Sequence, residues 1–140
     1  MKPRNKKILM VDDDLDFVEA ISSFLTEKGY TVLKAYNGKE GLQLAKMELH
    51  DLIIMDIKMT ERTEGLFVVQ EIRRIPELKS VPIFVLSSLY DRVSDFKIYP
   101  DKVWLPCDEF FKKPVNLNNL LEKIEKCIGS SEKPTADKSE

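Results

Sequence analysis

The sequence has few of the residues on which many site chemistries depend. Its two cysteines, Cys107 and Cys127, make neither a disulfide framework nor a metal-ligand pattern. Its one histidine, His50, precedes an apolar run; a lone histidine in a connecting loop is expected on the surface, with no role as ligand, base or phosphate carrier. Neither Gly-x-Gly-x-x-Gly nor Gly-x-x-x-x-Gly-Lys-Ser/Thr occurs, which speaks against dinucleotide and P-loop chemistry. No apolar run approaches the roughly 20 residues of a membrane-spanning helix, and no secretory signal precedes the first strand pattern. A cytosolic, reduced protein without membrane contact is expected. A dominant charge is missing too: 22 basic and 24 acidic residues leave a net charge of -2, which argues against a general nucleic-acid or membrane-surface binder. Lys2, Arg4, Lys6 and Lys7 read as the solvated start of a first strand. What is present suffices for one domain with one core: 140 residues, of which 43% are hydrophobic.

The most informative stretch is Asp51-Leu52-Ile53-Ile54-Met55-Asp56. A continuous apolar run this short suits a strand buried on both faces, and it stops at an acid. Lys7 to Val11 is a similar run, followed at once by Asp12-Asp13-Asp14. Leu15, Val18, Ile21 and Leu25 then recur at helical spacing, with Asp14 as N-cap and Gly29 after the end. Thr31–Tyr36 reads as a second strand, Glu40–Glu48 as a helix, and Leu66–Ile75 as a third helix stopped by Pro76. Val81–Ser87 and Asp108–Lys112 read as the fourth and fifth strands. Asn116 caps a last helix with Leu117, Leu120, Leu121, Ile124, Cys127 and Ile128 on one side. Residues 130–140 carry no apolar periodicity and are expected to be a disordered tail after a domain of residues 1–129.

Strand and helix patterns alternate about five times, as in a doubly wound α/β protein with helices on both faces of a five-stranded parallel sheet. In the flavodoxin-like order 2-1-3-4-5, the first and third strands are adjacent at the switch point. Asp12, Asp13 and Asp56 would then share a cleft flanked by Ser87 and Lys113. Three close carboxylates repel one another, and a hard cation such as Mg2+ relieves that repulsion. Such a cation would also offset the charge of a phosphoryl group arriving at Asp56. Lys113 would add a second positive charge and Ser87 a hydroxyl donor. Phosphoryl transfer asks for this combination of positioning and electrostatics.

With these residues in order, the chain resembles the receiver domains of two-component response regulators. Val11-Asp12-Asp13-Asp14, Asp56-Ile57-Lys58-Met59, Gly65, Leu86-Ser87-Ser88 and Lys113-Pro114 carry the resemblance, which covers roughly residues 6–128. The resemblance implies that Asp56 is the phosphoacceptor, with Asp12 and Asp13 as the acidic metal pair and the Lys58 backbone carbonyl as a further Mg2+ ligand. It implies that Lys113 partners the phosphoryl group, Ser87 is the switch hydroxyl and Phe110 the aromatic that moves with it. It also implies a cis bond at Lys113-Pro114 and a phosphoryl supply from a sensor histidine kinase or phosphotransfer protein. Such a protein catalyses its own phosphorylation and dephosphorylation rather than turnover of outside substrates. With no DNA-binding domain expected after the last helix, output would come from binding a separate, unknown partner protein or from passing the phosphoryl group on.

The sequence departs from that pattern at Thr60, where proline is usual, and in a loop after Asp56 about one residue longer. The larger departure is residues 88–107, where Pro100 and Pro106 forbid a long helix. A shortened or missing fourth helix is expected there, and Phe96, Tyr99 and Trp104 either fold back over the sheet, the favoured reading, or form a partner-binding patch. Two other functions fit parts of the pattern. One is a binding module of the same fold that works without phosphorylation. The other is a phosphohydrolase of the haloacid-dehalogenase type, suggested by Asp12-Asp13-Asp14; against it, Asp16 stands where that motif prefers Thr or Val, and no acidic pair follows Lys113.

Overall fold

The computed structural model describes residues 5–56, 64–87 and 105–129. Its elements are β1 (Lys7–Val11), α1 (Leu15–Glu27), β2 (Thr31–Ala35), α2 (Gly38–Met47), β3 (Leu52–Asp56), α3 (Glu64–Arg73), a 3-10 turn (Pro76–Leu78), β4 (Ile83–Ser87), β5 (Glu109–Lys112) and α4 (Leu117–Ile128). The strands form one parallel sheet in the order β2-β1-β3-β4-β5. This is the doubly wound order expected from the alternation. The expectations for a fourth helix and for Phe96, Tyr99 and Trp104 fall on residues 88–104, outside the described residues; those for Lys58 and the tail do too.

Side chains along each strand alternate between two cores. Leu9, Val11, Ile53, Met55, Ile83 and Val85 face α2 and α3. Ile8, Met10, Leu52, Ile54, Phe84, Leu86 and Phe111 face α1 and α4. All five residues of β3 are buried, so the apolar run ending in Asp56 is the centre of the sheet. Each fully buried aliphatic side chain there contributes on the order of 1.5–3 kcal/mol.

Helix starts follow the capping residues. Asp14 Oδ1 accepts from Phe17 N at 3.2 Å, Asn37 Oδ1 from Glu40 N at 2.8 Å and Asn116 Oδ1 from Asn119 N at 2.9 Å. Such caps are worth about 1 kcal/mol each. Gly29, beyond α1, adopts φ 103°. Two boundaries shift for local reasons. β2 stops at Ala35 because Tyr36 N donates to Glu40 Oε1 at 2.8 Å, inside the α2 cap. α3 stops at Arg73 because Ile75, preceding Pro76, is extended at φ -87°, ψ 118°.

Two expectations are corrected. The cysteines were expected reduced; Cys107 and Cys127 are instead joined in a disulfide, with Cα atoms 5.9 Å apart. The fold brings together residues that sequence spacing alone cannot relate. His50 was expected on the surface; it is 6% exposed, and among the described residues neither ring nitrogen has a hydrogen-bond partner. It lies two residues ahead of Leu52, where the approach to β3 is already covered.

Burial lowers the His50 pKa below its ordinary value of 6.5; nearby Lys7 also lowers it, while Glu48 and Asp51 oppose the shift. The unfolded chain therefore takes up this proton first as the pH falls. Stability is retained above about pH 6.5 and lost as the pH drops through that value toward the folded-state pKa, with a slope of at most about 1.4 kcal/mol per pH unit. Urea unfolding at pH 7.5 and 5.5 should show a larger acid loss for the natural chain than for His50→Leu. Equal losses would remove His50 from this account.

Candidate functional site

The carboxyl edge of the sheet gathers the acids. Val11 pairs in register with Met55, so Asp12 and Asp56, the residues that follow them, sit side by side. Asp12 N donates to Ala35 O at 3.1 Å, and Asp12 Oδ1 accepts from Asp14 N at 3.0 Å, which folds the turn into α1. From the other face, Gly41 of α2 packs close to Val11: a Cβ there would meet Val11 Cγ1 at 2.8 Å. This close approach seats α2 against the residue that precedes the acidic pair.

Asp12, Asp13 and Asp56 each present a carboxylate oxygen within 4.8 Å of the others. Asp12 and Asp56 are buried, and Asp13 is exposed. Lys113 enters from the end of β5. Its Nζ lies 2.7 Å from Asp12 Oδ2 and 3.5 Å from Asp56 Oδ2. The same ammonium stands 4.4 Å from the centre of the Phe17 ring, a further attraction for the cation. The Lys113-Pro114 bond is cis.

Burial works against the charge on Lys113. The hydrogen bond to Asp12, the charges of Asp56 and Asp12, and the contact with Asp56 outweigh it and hold the pKa above the ordinary lysine value. The ammonium therefore stays charged at neutral pH. One ammonium touches two of the three carboxylates, so the cluster has room for further positive charge. Its donors are all carboxylate oxygens, two of them on buried side chains. That set fits a hard, oxygen-preferring cation such as Mg2+.

Other residues singled out from the sequence are placed as follows. Ser87 ends β4 and pairs in register with Lys112, on the same sheet edge as Asp56. Phe110 is half-buried in β5 and packs against the core shared with α2 and α3. Lys58 lies outside the described residues.

Sequence reasoning missed two contributors. One is Phe17, whose ring lies beneath the Lys113 ammonium. The other is a buried ion pair, Arg73 with Asp108, whose side chains are 6% and 1% exposed. Arg73 Nη2 donates to both Asp108 oxygens at 3.2 and 3.0 Å, and Nη1 to Leu78 O and Val81 O at 3.3 and 2.6 Å. Asp108 also accepts from Ile83 N at 2.7 Å and Leu105 N at 2.6 Å. This pair anchors the entry of β5, the strand that delivers Lys113. A signal existed in the sequence: Arg73 stands four residues after buried Val69 and next to buried Ile72, on the core face of α3.

Fold and site together define a class: a doubly wound α/β protein with an acidic triad and a lysine at the carboxyl edge of its central strands. The chain belongs to the response regulator receiver domain family, whose profile matches residues 8–125. It is 32% identical over 120 residues to the transcriptional regulatory protein DltR of Streptococcus agalactiae, covering 84% of this chain and 50% of that protein. It is 30% identical over 132 residues to the CpxR homolog of Haemophilus influenzae, covering 92% of this chain and 53% of that protein. The chain thus spans about half the length of these curated relatives. Among solved structures, the response regulator TrrA of Thermotoga maritima, in complex with Mg2+-BeF, superposes with a TM-score of 0.73 at 34% identity, covering 87% of this chain and 98% of that one. Receiver domains act in two-component signalling, interact with a histidine kinase or phosphotransfer partner, and bind Mg2+ at an acidic pocket.

Proposed function

We propose that this domain, residues 1–129, accepts a phosphoryl group on Asp56 and signals by binding a separate protein. The observation that carries this reading is the convergence of Asp12, Asp13 and Asp56 within 4.8 Å, with Lys113 in contact with two of them. Asp56 Oδ attacks phosphorus; the P–N bond of a phosphohistidine donor breaks, and the electron pair leaves with the imidazole nitrogen. Asp12, Asp13, Asp56 and the Lys58 backbone carbonyl are the proposed Mg2+ ligands. When bound, Mg2+ offsets the charge of the carboxylates and of the transferring phosphoryl oxygens. Lys113 shifts its ion pair from the carboxylates to a phosphoryl oxygen, Ser87 donates its hydroxyl to another, and Phe110 follows Ser87. The chain catalyses its own phosphorylation and dephosphorylation.

We place this activity in the cytoplasm, where ATP-derived phosphoryl groups are made. Among the described residues, no helix is long and apolar enough to cross a membrane. The similarity of TrrA, solved in complex with Mg2+-BeF, supports the choice of cation.

Asp13 separates metal binding from chemistry, because it is exposed and makes no contact with Lys113. Asp13→Ala should weaken Mg2+ affinity by about tenfold or more and leave the fold intact. Titration of Mg2+ with beryllofluoride present, followed by 19F NMR, reads this directly. Equal Mg2+ affinity in both chains would overturn the ligand set.

A further inference from the structure

Cys107 and Cys127 have no part in the phosphoryl site, yet the fold holds their Cα atoms 5.9 Å apart. That separation lies inside the range a disulfide needs. Both positions are fixed by other interactions. Cys107 sits in a turn closed by Asp108 N donating to Leu105 O at 3.0 Å and by Leu105 N donating to Asp108 Oδ2 at 2.6 Å. The next residue, Asp108, is gripped by Arg73. Cys127 lies in the last turn of α4, which is fastened by Gly129 N to Glu125 O at 2.9 Å and by Tyr30 OH to Gly129 O at 2.9 Å. Two thiols held in this way do not have to search for each other.

The reduced pair also has a place to go. The Cys107 carbonyl oxygen lies 3.8 Å from Cys127 Sγ, so a Cys127 thiol has an acceptor in position. Both cysteines are half-buried rather than sealed in the core, leaving a route for a small reagent. Disulfides in a reducing compartment are usually transient or redox-sensing.

We infer that Cys107 and Cys127 form a reversible dithiol–disulfide site that exchanges with small-molecule disulfides and fastens the entry of β5 to α4. Reversibility rests on the cytoplasmic placement proposed above. One cysteine thiolate attacks a sulfur of the small disulfide, forming a mixed disulfide and releasing one thiolate. The second cysteine attacks the protein-bound sulfur, forming the Cys107–Cys127 bond and releasing the other. The two cysteines lose two electrons and two protons; the small disulfide gains both and leaves as two thiols.

The full chain, equilibrated across ratios of reduced to oxidised glutathione, quenched by alkylation and weighed by mass spectrometry, tests this. The expected result is a smooth passage from two alkylated cysteines to none, with no retained glutathione, reversed by dithiothreitol. The oxidised form should melt about 10 °C above the reduced one, since the crosslink spans 20 residues. Cys127→Ser should stop at a single glutathione adduct. A pair that stays oxidised in excess reduced glutathione would overturn the site, and so would thiols that stay free or stop as adducts in excess oxidised glutathione. Asp56→Asn should give the same thiol titration as the natural chain, so failure of the phosphoacceptor reading leaves this test standing.

Discussion

Asp56→Asn should abolish phosphoryl uptake, reducing incorporation from a small phosphodonor to the level seen without donor. Asp56 is 2% exposed and ends the central strand, paired in register with Leu86. Asparagine has the same shape there, so the strand and its core contacts persist. What it lacks is the anionic oxygen proposed to attack phosphorus. Its neutral amide also removes one of three negative charges, so Mg2+ affinity should fall as well. Lys113→Ala gives the contrasting case. The nucleophile stays, but the cation that lies 2.7 Å from Asp12 and 3.5 Å from Asp56 is lost. Phosphorylation should then slow by about 10²–10³-fold, the usual effect of removing one preorganised charge partner. Intact-mass measurement over time separates the two outcomes: no product against slow product. Equal incorporation by Asp56→Asn and the natural chain would make another residue the acceptor.

Arg73→Ala should lower stability by about 3–5 kcal/mol. Domains of this size have roughly 5–15 kcal/mol in total. The loss comes less from the missing contacts than from what remains. Asp108, with its side chain 1% exposed, would keep a buried charge with, among the described residues, only the amides of Ile83 and Leu105 as donors. The Leu78 and Val81 carbonyls would lose their shared donor too. Arg74→Ala is the control: its side chain is 75% exposed and pairs with Glu71 one turn away. Such surface pairs are worth little, and its effect should stay within about 0.5 kcal/mol. Urea titrations of the three chains measure both effects. An Arg73→Ala chain as stable as the control would mean that Asp108 is satisfied without its partner.

The parts of the molecule legible in the sequence are those encoded locally. The run Leu52 to Met55 announced a strand buried on both faces, and all its residues are buried. Asp14 and Asn116 cap the helices that follow them. The acidic triad was legible because each acid stands at the end of an apolar run, and a parallel sheet brings those ends to one edge. Interactions between distant segments were not. Arg73 and Asp108 are 35 residues apart, and the place of Arg73 on the core face of α3 does not say which residue it meets. Cys107 and Cys127 meet only once β5 and α4 are placed. His50 was misjudged because a loop residue can be covered by neighbours that no periodicity describes. In each case, the missing information was which segments pack together, which strand and helix patterns do not specify beyond the order of the sheet.

The central claim is that Asp56 takes a phosphoryl group with the help of Mg2+. Incubation with a small phosphodonor, with Mg2+ or with chelator, followed by borohydride reduction and peptide mapping, tests it most directly, because reduction converts an aspartyl phosphate to homoserine. The account predicts homoserine at residue 56 alone, and only in the Mg2+ sample. Homoserine at another residue, or equal conversion with chelator, would contradict it.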